Sequence, residues 1–111
     1  MDVCVLTGDL IFFSAVEGVA GAMGHKARQA ETPAEIGSPA VLIADMSLIR
    51  STVGDIAGTF DPVRTAIFTP HERVDVFSDA RALGIAHVHR RGALAVELPR
   101  ILSEYAAVSS D

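Results

Sequence analysis

The sequence lacks most of the residues that mark a secreted, membrane-bound or zinc-stabilised protein. Among its 111 residues there is one cysteine, Cys4, so neither an intramolecular disulfide nor a cysteine-based zinc site can form. No apolar run approaches the roughly 20 residues that a membrane-spanning helix needs. No basic segment precedes an apolar stretch at the amino terminus, as it would in a signal peptide. We therefore expect a cytoplasmic protein without membrane contact.

Positive charge is also scarce. Nine Lys and Arg residues stand against fourteen Asp and Glu residues, which gives a formal charge of -5 at pH 7. Proteins bind nucleic-acid phosphates through clustered basic side chains, which this sequence lacks, so we expect no direct nucleic-acid binding. Half of the residues are apolar and 21% are charged, a balance typical of folded globular proteins. The length suits one domain, which we predict over 1–107, with a flexible tail over 108–111.

Apolar runs typical of buried strands alternate along the chain with segments whose apolar residues recur at helical spacing. The predicted strands are 3–6, 26–30, 41–44, 65–68 and 85–90. The predicted helices are 10–23, a single turn within 32–37, then 47–59, 74–83 and 94–105. Pro99 lies either in the first turn of a late-starting last helix or inside an early one, and the sequence leaves both open.

Five strand–helix units with short loops predict an α/β fold with a parallel sheet covered by helices on both faces. The commonest arrangement of five such strands is the flavodoxin-like order 2-1-3-4-5. We therefore expect a flavodoxin-like three-layer sandwich whose second helix is short or missing. In that order strands one and three are neighbours, so Asp9 and Asp45 would lie near each other at the carboxyl edge of the sheet.

Four polar residues follow the predicted strands in a definite order. Asp9 follows strand one, Asp45 ends strand three, Thr69 ends strand four and Arg91 follows strand five. In this order and spacing the chain resembles, over nearly its whole length, the receiver domains of two-component response regulators. The resemblance implies that Asp45 is the phosphoacceptor and that Thr69 and Arg91 contact the phosphoryl group. It also implies that Asp9 and Asp45 are ligands of a magnesium ion.

The chain departs from the receiver pattern at two positions. The first of the family's two acids falls on Thr7 or Gly8, and the family's lysine is replaced by Arg91. Aspartyl phosphorylation needs a divalent cation with oxygen ligands and a fixed positive charge beside the product. Loss of one acid weakens the metal site, and the planar guanidinium does not take the place of an ammonium. We therefore expect a degenerate receiver, not an enzyme and without a cofactor; magnesium binding is the alternative.

Each of these residues also has a purely structural interpretation. Asp45 and Asp9 could be N-caps of the helices that follow them, and Thr69 could only close its strand. Arg90 and Arg91 could form a solvated pair. His87 and His89 point to one side of strand five and form, with Arg90, a basic and titratable patch. His71 lies in the loop after strand four, on the same edge of the sheet as Asp45.

Three functions are consistent with these residues. The leading hypothesis is a stand-alone receiver-like signalling domain that acts by protein contact, through the face formed by 74–83, 85–90 and 94–105. Its partner would be a histidine kinase, an output protein or a second copy in a homodimer. The second is a magnesium-dependent phosphoacceptor in a phosphorelay. The third is a flavodoxin-like small-ligand-binding protein or hydrolase that uses Asp9, Asp45 and His71.

Overall fold

Five short strands form the centre of the protein in a computed structural model, which describes residues 1–47, 52–70 and 73–109. The strands are β1 (Asp2–Leu6), β2 (Lys26–Ala30), β3 (Val41–Asp45), β4 (Thr65–Thr69) and β5 (His87–Arg90). Every neighbouring pair is parallel, in the order β2-β1-β3-β4-β5. The predicted flavodoxin-like strand order is confirmed.

Helices cover both faces of the sheet. They are α1 (Leu10–Ala22), α2 (Val53–Thr59), α3 (Val74–Ala82) and α4 (Leu94–Ser109). Between β2 and β3 there is only a one-turn 3-10 helix, Pro33–Glu35, so the short second helix is confirmed. None of the helices in the described ranges is long and apolar enough to cross a membrane.

Local sequence signals set several of these boundaries. Gly24 and Gly84 adopt φ values of 83° and 79° directly after the last turns of α1 and α3. An L side chain is strained at such values, so glycine ends both helices. In the turn before β3, the Glu35 carboxylate accepts a hydrogen bond from the Thr32 backbone at 3.2 Å, and Pro33 occupies the first position.

The third predicted helix begins later than the sequence analysis placed it. Ser47 lies in a turn, and Thr52 is the N-cap of α2. The Thr52 hydroxyl accepts from the Asp55 backbone at 3.1 Å, while the Asp55 carboxylate accepts from the Thr52 backbone at 3.0 Å. This capping box fixes the start, so the prediction of a helix from Ser47 is wrong. Ile49, within the predicted helix 47–59, lies outside the described residues.

The last helix begins at Leu94, as predicted, and continues to Ser109, beyond the predicted end at Tyr105. Pro99 lies inside it, so the interpretation of an early-starting helix that contains Pro99 is confirmed. Its predicted apolar face is buried against the sheet, with Leu98, Ile101, Leu102 and Tyr105 at most 5% exposed.

Two apolar cores lie on opposite faces of the sheet. The core under α1 and α4 contains all the buried aromatic side chains of the described chain, Phe12, Phe68 and Tyr105. The core under α2 and α3 has no buried aromatic side chain and contains the sulfur-bearing side chains of Cys4 and Met46 among aliphatic ones. Ile36, just after the 3-10 turn, is fully buried in this second core and covers the sheet where a longer helix is missing. Arg28 holds that turn in place by donating to the carbonyls of Glu35 and Ile36.

Candidate functional site

The carboxyl ends of β1, β3 and β4 carry the polar residues that form the candidate site. Open α/β sheets bind ligands and perform chemistry at this edge. Thr7, Asp45 and Thr69 are all fully buried there. Because β1 and β3 are neighbours, the Thr7 hydroxyl reaches Asp45 and donates to its Oδ2 at 2.8 Å. Thr7, one of the two positions on which the first acid of the receiver pattern falls, thus lies beside Asp45.

The second oxygen of Asp45 is also engaged. Its Oδ1 accepts from the Ser47 backbone at 3.0 Å and from the Ser47 hydroxyl at 2.7 Å. Arg91 Nε lies 3.4 Å from the same oxygen. The interpretation of Asp45 as a helix N-cap is wrong, because Thr52 caps α2. Both oxygens of Asp45 instead have hydrogen-bond donors beside them, and Oδ1 also has the guanidinium of Arg91 within 3.4 Å.

Asp9 combines two roles. Its Oδ1 accepts from the backbone of Ile11 at 2.8 Å and of Phe12 at 3.4 Å, so the predicted N-cap of α1 is confirmed. Its Oδ2 accepts from Arg91 Nη2 at 2.9 Å. The hydrogen bond from Arg91, and after it the one from the Ile11 backbone, lowers the pKa of the Asp9 carboxyl below its ordinary value.

Arg91 brings the two carboxylates together. Its side chain is 34% exposed, and its guanidinium contacts both Asp9 and Asp45. The guanidinium carbon also lies 5.2 Å from the centre of the Phe12 ring, a distance at which cation–π attraction operates. The solvated-pair interpretation is therefore wrong for Arg91, whereas the neighbouring Arg90 is exposed. We call Thr7, Asp9, Asp45, Ser47 and Arg91 the acid cluster.

A magnesium ion does not fit the acid cluster as its side chains lie. No group of three His, Cys, Asp or Glu side chains suitable for a metal occurs within residues 1–47, 52–70 and 73–109. The two predicted ligands, Asp9 and Asp45, are brought close, but the guanidinium of Arg91 already forms ion pairs with both. A divalent cation in contact with these oxygens would meet that positive charge at short range. The positive charge of the cluster thus comes from the chain itself.

Thr69 and His71 are the remaining predicted residues at this edge. The Thr69 hydroxyl is buried and lies 3.5 Å from the Pro70 carbonyl oxygen, at the limit of a hydrogen bond. A phosphoryl contact of Thr69 or Arg91 stays a prediction. His71 lies outside the described residues.

The sequence analysis missed the contributions of Thr7 and Ser47 as donors to Asp45. A signal for Thr7 was available, since it directly follows the first strand, which the predicted order places next to the third. Ser47 had a weaker signal, because a serine two residues after an aspartate commonly closes a local side-chain turn.

The two strand histidines form a second polar group, away from the acid cluster. His87 and His89 do project to one side of β5, and their rings stack at 5.6 Å with an interplanar angle of 26°. That side faces α4, where His87 Nε2 lies 3.2 Å from the Glu104 carboxylate. His89 is partly buried against Phe68, with ring centres 5.7 Å apart. We call His87 and His89 the histidine pair; of the predicted surface residues, Arg90 is the exposed one.

Comparison with known proteins identifies the fold. A response-regulator receiver domain protein from Clostridium thermocellum superposes with a TM-score of 0.78 at 15% identity, over 98% of this chain and 96% of that chain. A response regulator receiver protein from Burkholderia phymatum gives 0.75 at 17% identity, over 94% and 93%. NtrX from Brucella abortus, solved in complex with ADP, gives 0.70 at 14% identity.

The superposition on NtrX covers 98% of this chain but only 28% of the NtrX chain. No protein-family model matches the sequence, and no curated protein is significantly similar to it. Because the sequence identities are low, these superpositions establish the fold alone. The chain has the receiver-domain fold of response regulators, as the sequence predicts.

Proposed function

We propose that this protein is a receiver-like signalling domain that works without phosphorylation and acts by contact with another protein. The observation that carries the proposal is that Arg91 pairs with both Asp9 and Asp45. The positive charge that receiver chemistry draws from a metal ion is here part of the polypeptide. The acid cluster would therefore stay in one state, without a phosphorylated form.

The surroundings of Asp45 argue against its acting as a nucleophile. Phosphoryl transfer requires a carboxylate oxygen in line with the incoming phosphorus and a cation that neutralises the phosphoryl oxygens. Asp45 is fully buried, Thr7 binds one oxygen, and Ser47 and Arg91 contact the other. A phosphodonor would have to break these contacts before it could react. The cost of separating a buried carboxylate from its cation makes this step unfavourable.

The contact surface that we propose is the face formed by α3, β5 and α4. Exposed apolar side chains occur at the first turns of both helices: Val74 is 71% exposed and Val96 is 66% exposed. Arg90 adds an exposed positive charge between them. The proposed occupant is a histidine kinase, an output protein or a second copy of the chain, in the cytoplasm. In this proposal the domain catalyses no reaction.

The phosphoacceptor question is decided by intact-protein mass spectrometry after treatment with acetyl phosphate and magnesium. We expect no phosphoryl adduct on the wild-type protein. We expect an adduct on the double variant Thr7→Asp with Arg91→Lys. This variant restores a carboxylate beside Asp45 and replaces the planar guanidinium of Arg91 by an ammonium group. Adding Asp45→Asn to that double variant should abolish the adduct. Far-ultraviolet circular dichroism confirms that each protein is folded.

Two outcomes would contradict this assignment. An adduct on the wild-type protein that Asp45→Asn removes would establish the working phosphoacceptor instead. A folded double variant that gains no adduct would show that Thr7 and Arg91 are not what prevents phosphorylation. The hydrolase alternative depends on His71 and gains no support from the described site.

The surface is tested separately, by sedimentation of the purified domain over a range of concentrations. If the occupant is a second copy, Val96→Glu should shift the protein toward monomer, because it places a charge within the proposed face. Ile11→Glu is the matched control, since Ile11 is 83% exposed on α1, which is not part of that face. An equal effect of both substitutions would exclude this face as the specific contact.

A further inference from the structure

A row of contacting rings joins the sheet to α4. Phe68 on β4 contacts His89 on β5, with ring centres 5.7 Å apart, and His89 stacks on His87. His87 in turn meets the edge of Tyr105 on α4, at 5.8 Å and an interplanar angle of 80°. The Tyr105 hydroxyl donates to the Val63 carbonyl at 2.8 Å. The histidine pair is thus part of the packing that holds the last helix on the sheet.

The two imidazoles differ in their access to a charge partner. His87 Nε2 lies 3.2 Å from Glu104, so a protonated His87 gains an ion pair. His89 Nε2 is buried and has no hydrogen-bond partner among the described residues. A proton on that nitrogen would be a buried donor without an acceptor, which is costly.

The charged groups near His89 do not cancel that cost. Glu97 and Arg100 on α4 act on His89 with opposite signs, and they pair with each other at 3.4 Å. On β5 itself, His87 opposes a charge on His89 once it is protonated. From β4 the contact is the apolar ring of Phe68. The packing therefore favours the neutral form of His89.

We propose that the histidine pair is an acid-sensitive switch, in which protonation of His89 loosens α4 from β5. At neutral pH the stacked rings pack as apolar surfaces. As the pH falls, a proton on His89 is accommodated only when α4 moves away and water reaches Nε2. The inference does not depend on whether Asp45 is phosphorylated.

The sign of the pH dependence follows from burial. Burial, ahead of the charge effects, lowers the pKa of His89 in the folded protein below its ordinary value. The stability that neutral His89 confers is present above the ordinary histidine pKa of about 6.5 and is lost as the pH falls from there toward the folded value. The unfolding equilibrium constant should rise by up to about tenfold per pH unit in that window from this one group.

The experiment measures amide hydrogen exchange, corrected for the intrinsic rate, together with urea unfolding, from about pH 7.5 to about pH 5 across the histidine range. In the wild-type full chain we expect protection of α4 to fall on acidification more than protection of β1. In His89→Phe, which keeps an aromatic ring but cannot take a proton, this α4-specific loss should disappear.

His25→Gln is the matched control. The pKa of His25 is also lowered by burial, but its Nδ1 binds the Met1 amine at 2.9 Å, away from α4. This variant should therefore keep the α4-specific loss. Acid lability of α4 that is unchanged in a folded His89→Phe would overturn the proposal. If that variant does not fold, nuclear magnetic resonance titration of the wild-type imidazoles decides: protonation of His89 at or above the ordinary pKa overturns it, and protonation below that value with concurrent opening of α4 supports it.

Discussion

The acid cluster and the histidine pair are two polar groups on one small sheet, and they differ in how fully they are satisfied. In the acid cluster, both oxygens of Asp45 are occupied and Arg91 offsets the carboxylate charge. In the histidine pair, His89 Nε2 is buried and unpartnered within the described chain. Satisfied buried polar networks rigidify a fold, whereas an unsatisfied group leaves it sensitive to solvent and pH. The first region is therefore fixed and the second is responsive.

A single side chain lies between the two regions. The Phe68 ring contacts Phe12 at 6.2 Å, and Phe12 carries the guanidinium of Arg91 on its face. Phe68 also contacts His89, with ring centres 5.7 Å apart. The two regions therefore share Phe68 as an apolar support and differ in the polar atoms around it. Substitutions can remove Phe68 or change each region separately.

Removing the shared support should have the largest effect. Phe68→Ala is expected to lower the free energy of unfolding by about 3–5 kcal/mol, because it deletes a fully buried aromatic ring and leaves a cavity. Ile67→Val, the neighbouring residue in the opposite core, should cost only about 0.5–1.5 kcal/mol. Urea unfolding followed by circular dichroism measures both. Equal losses in the two variants would show that Phe68 supports nothing beyond its local packing.

Removing Arg91, the cation of the acid cluster, should cause the second-largest loss of stability. Arg91→Ala leaves Asp45 as a buried carboxylate without its positive partner, and we expect a loss of about 2–3 kcal/mol, reduced from the fully buried case because Arg91 is partly exposed. Arg91→Lys should lose less. Arg100→Ala, which breaks an ion pair with a 75% exposed arginine side chain, should change stability by less than about 1 kcal/mol. A loss at Arg91 no greater than that at Arg100 would contradict the description of the acid cluster as tightly paired.

The smallest effect is expected from the titration of Asp9. Its pKa is lowered in the fold, so the stability it confers is present above its unfolded value of about 3.9 and is lost as the pH falls through the lower folded value. Asp9→Asn keeps an oxygen that can cap α1 but cannot titrate. The variant should therefore lose less stability than the wild type on acidification below about pH 4. Urea midpoints across that range provide the measurement; parallel curves would exclude a contribution from Asp9.

The backbone architecture was largely predictable because its signals are local. Short apolar runs mark the five strands, and glycine marks the ends of α1 and α3. The main error, a helix predicted from Ser47, arose because helical spacing extends through residues that precede the true cap. The capping pair of Thr52 and Asp55 was present in the sequence and gives the correct start.

The sequence predicted which residues form the site but not which of them pair with each other. Strand order alone brings Asp9, Asp45 and Thr69 to one edge. The pairing of Arg91 with Asp9, however, spans 82 residues of sequence separation, and no local pattern distinguishes it from a solvated arginine. Whether an arginine folds inward depends on side-chain packing over Phe12, which becomes visible only in three dimensions.

Tyr105 is the only tyrosine, and the chain has no tryptophan. Because its ring packs against His87 and its hydroxyl is bonded to Val63, burial raises its pKa to about 12. Its fluorescence, and its conversion to tyrosinate in alkali, therefore both originate at the junction of β5 and α4. The unlabelled protein carries an optical reporter at the place where its last helix meets the sheet.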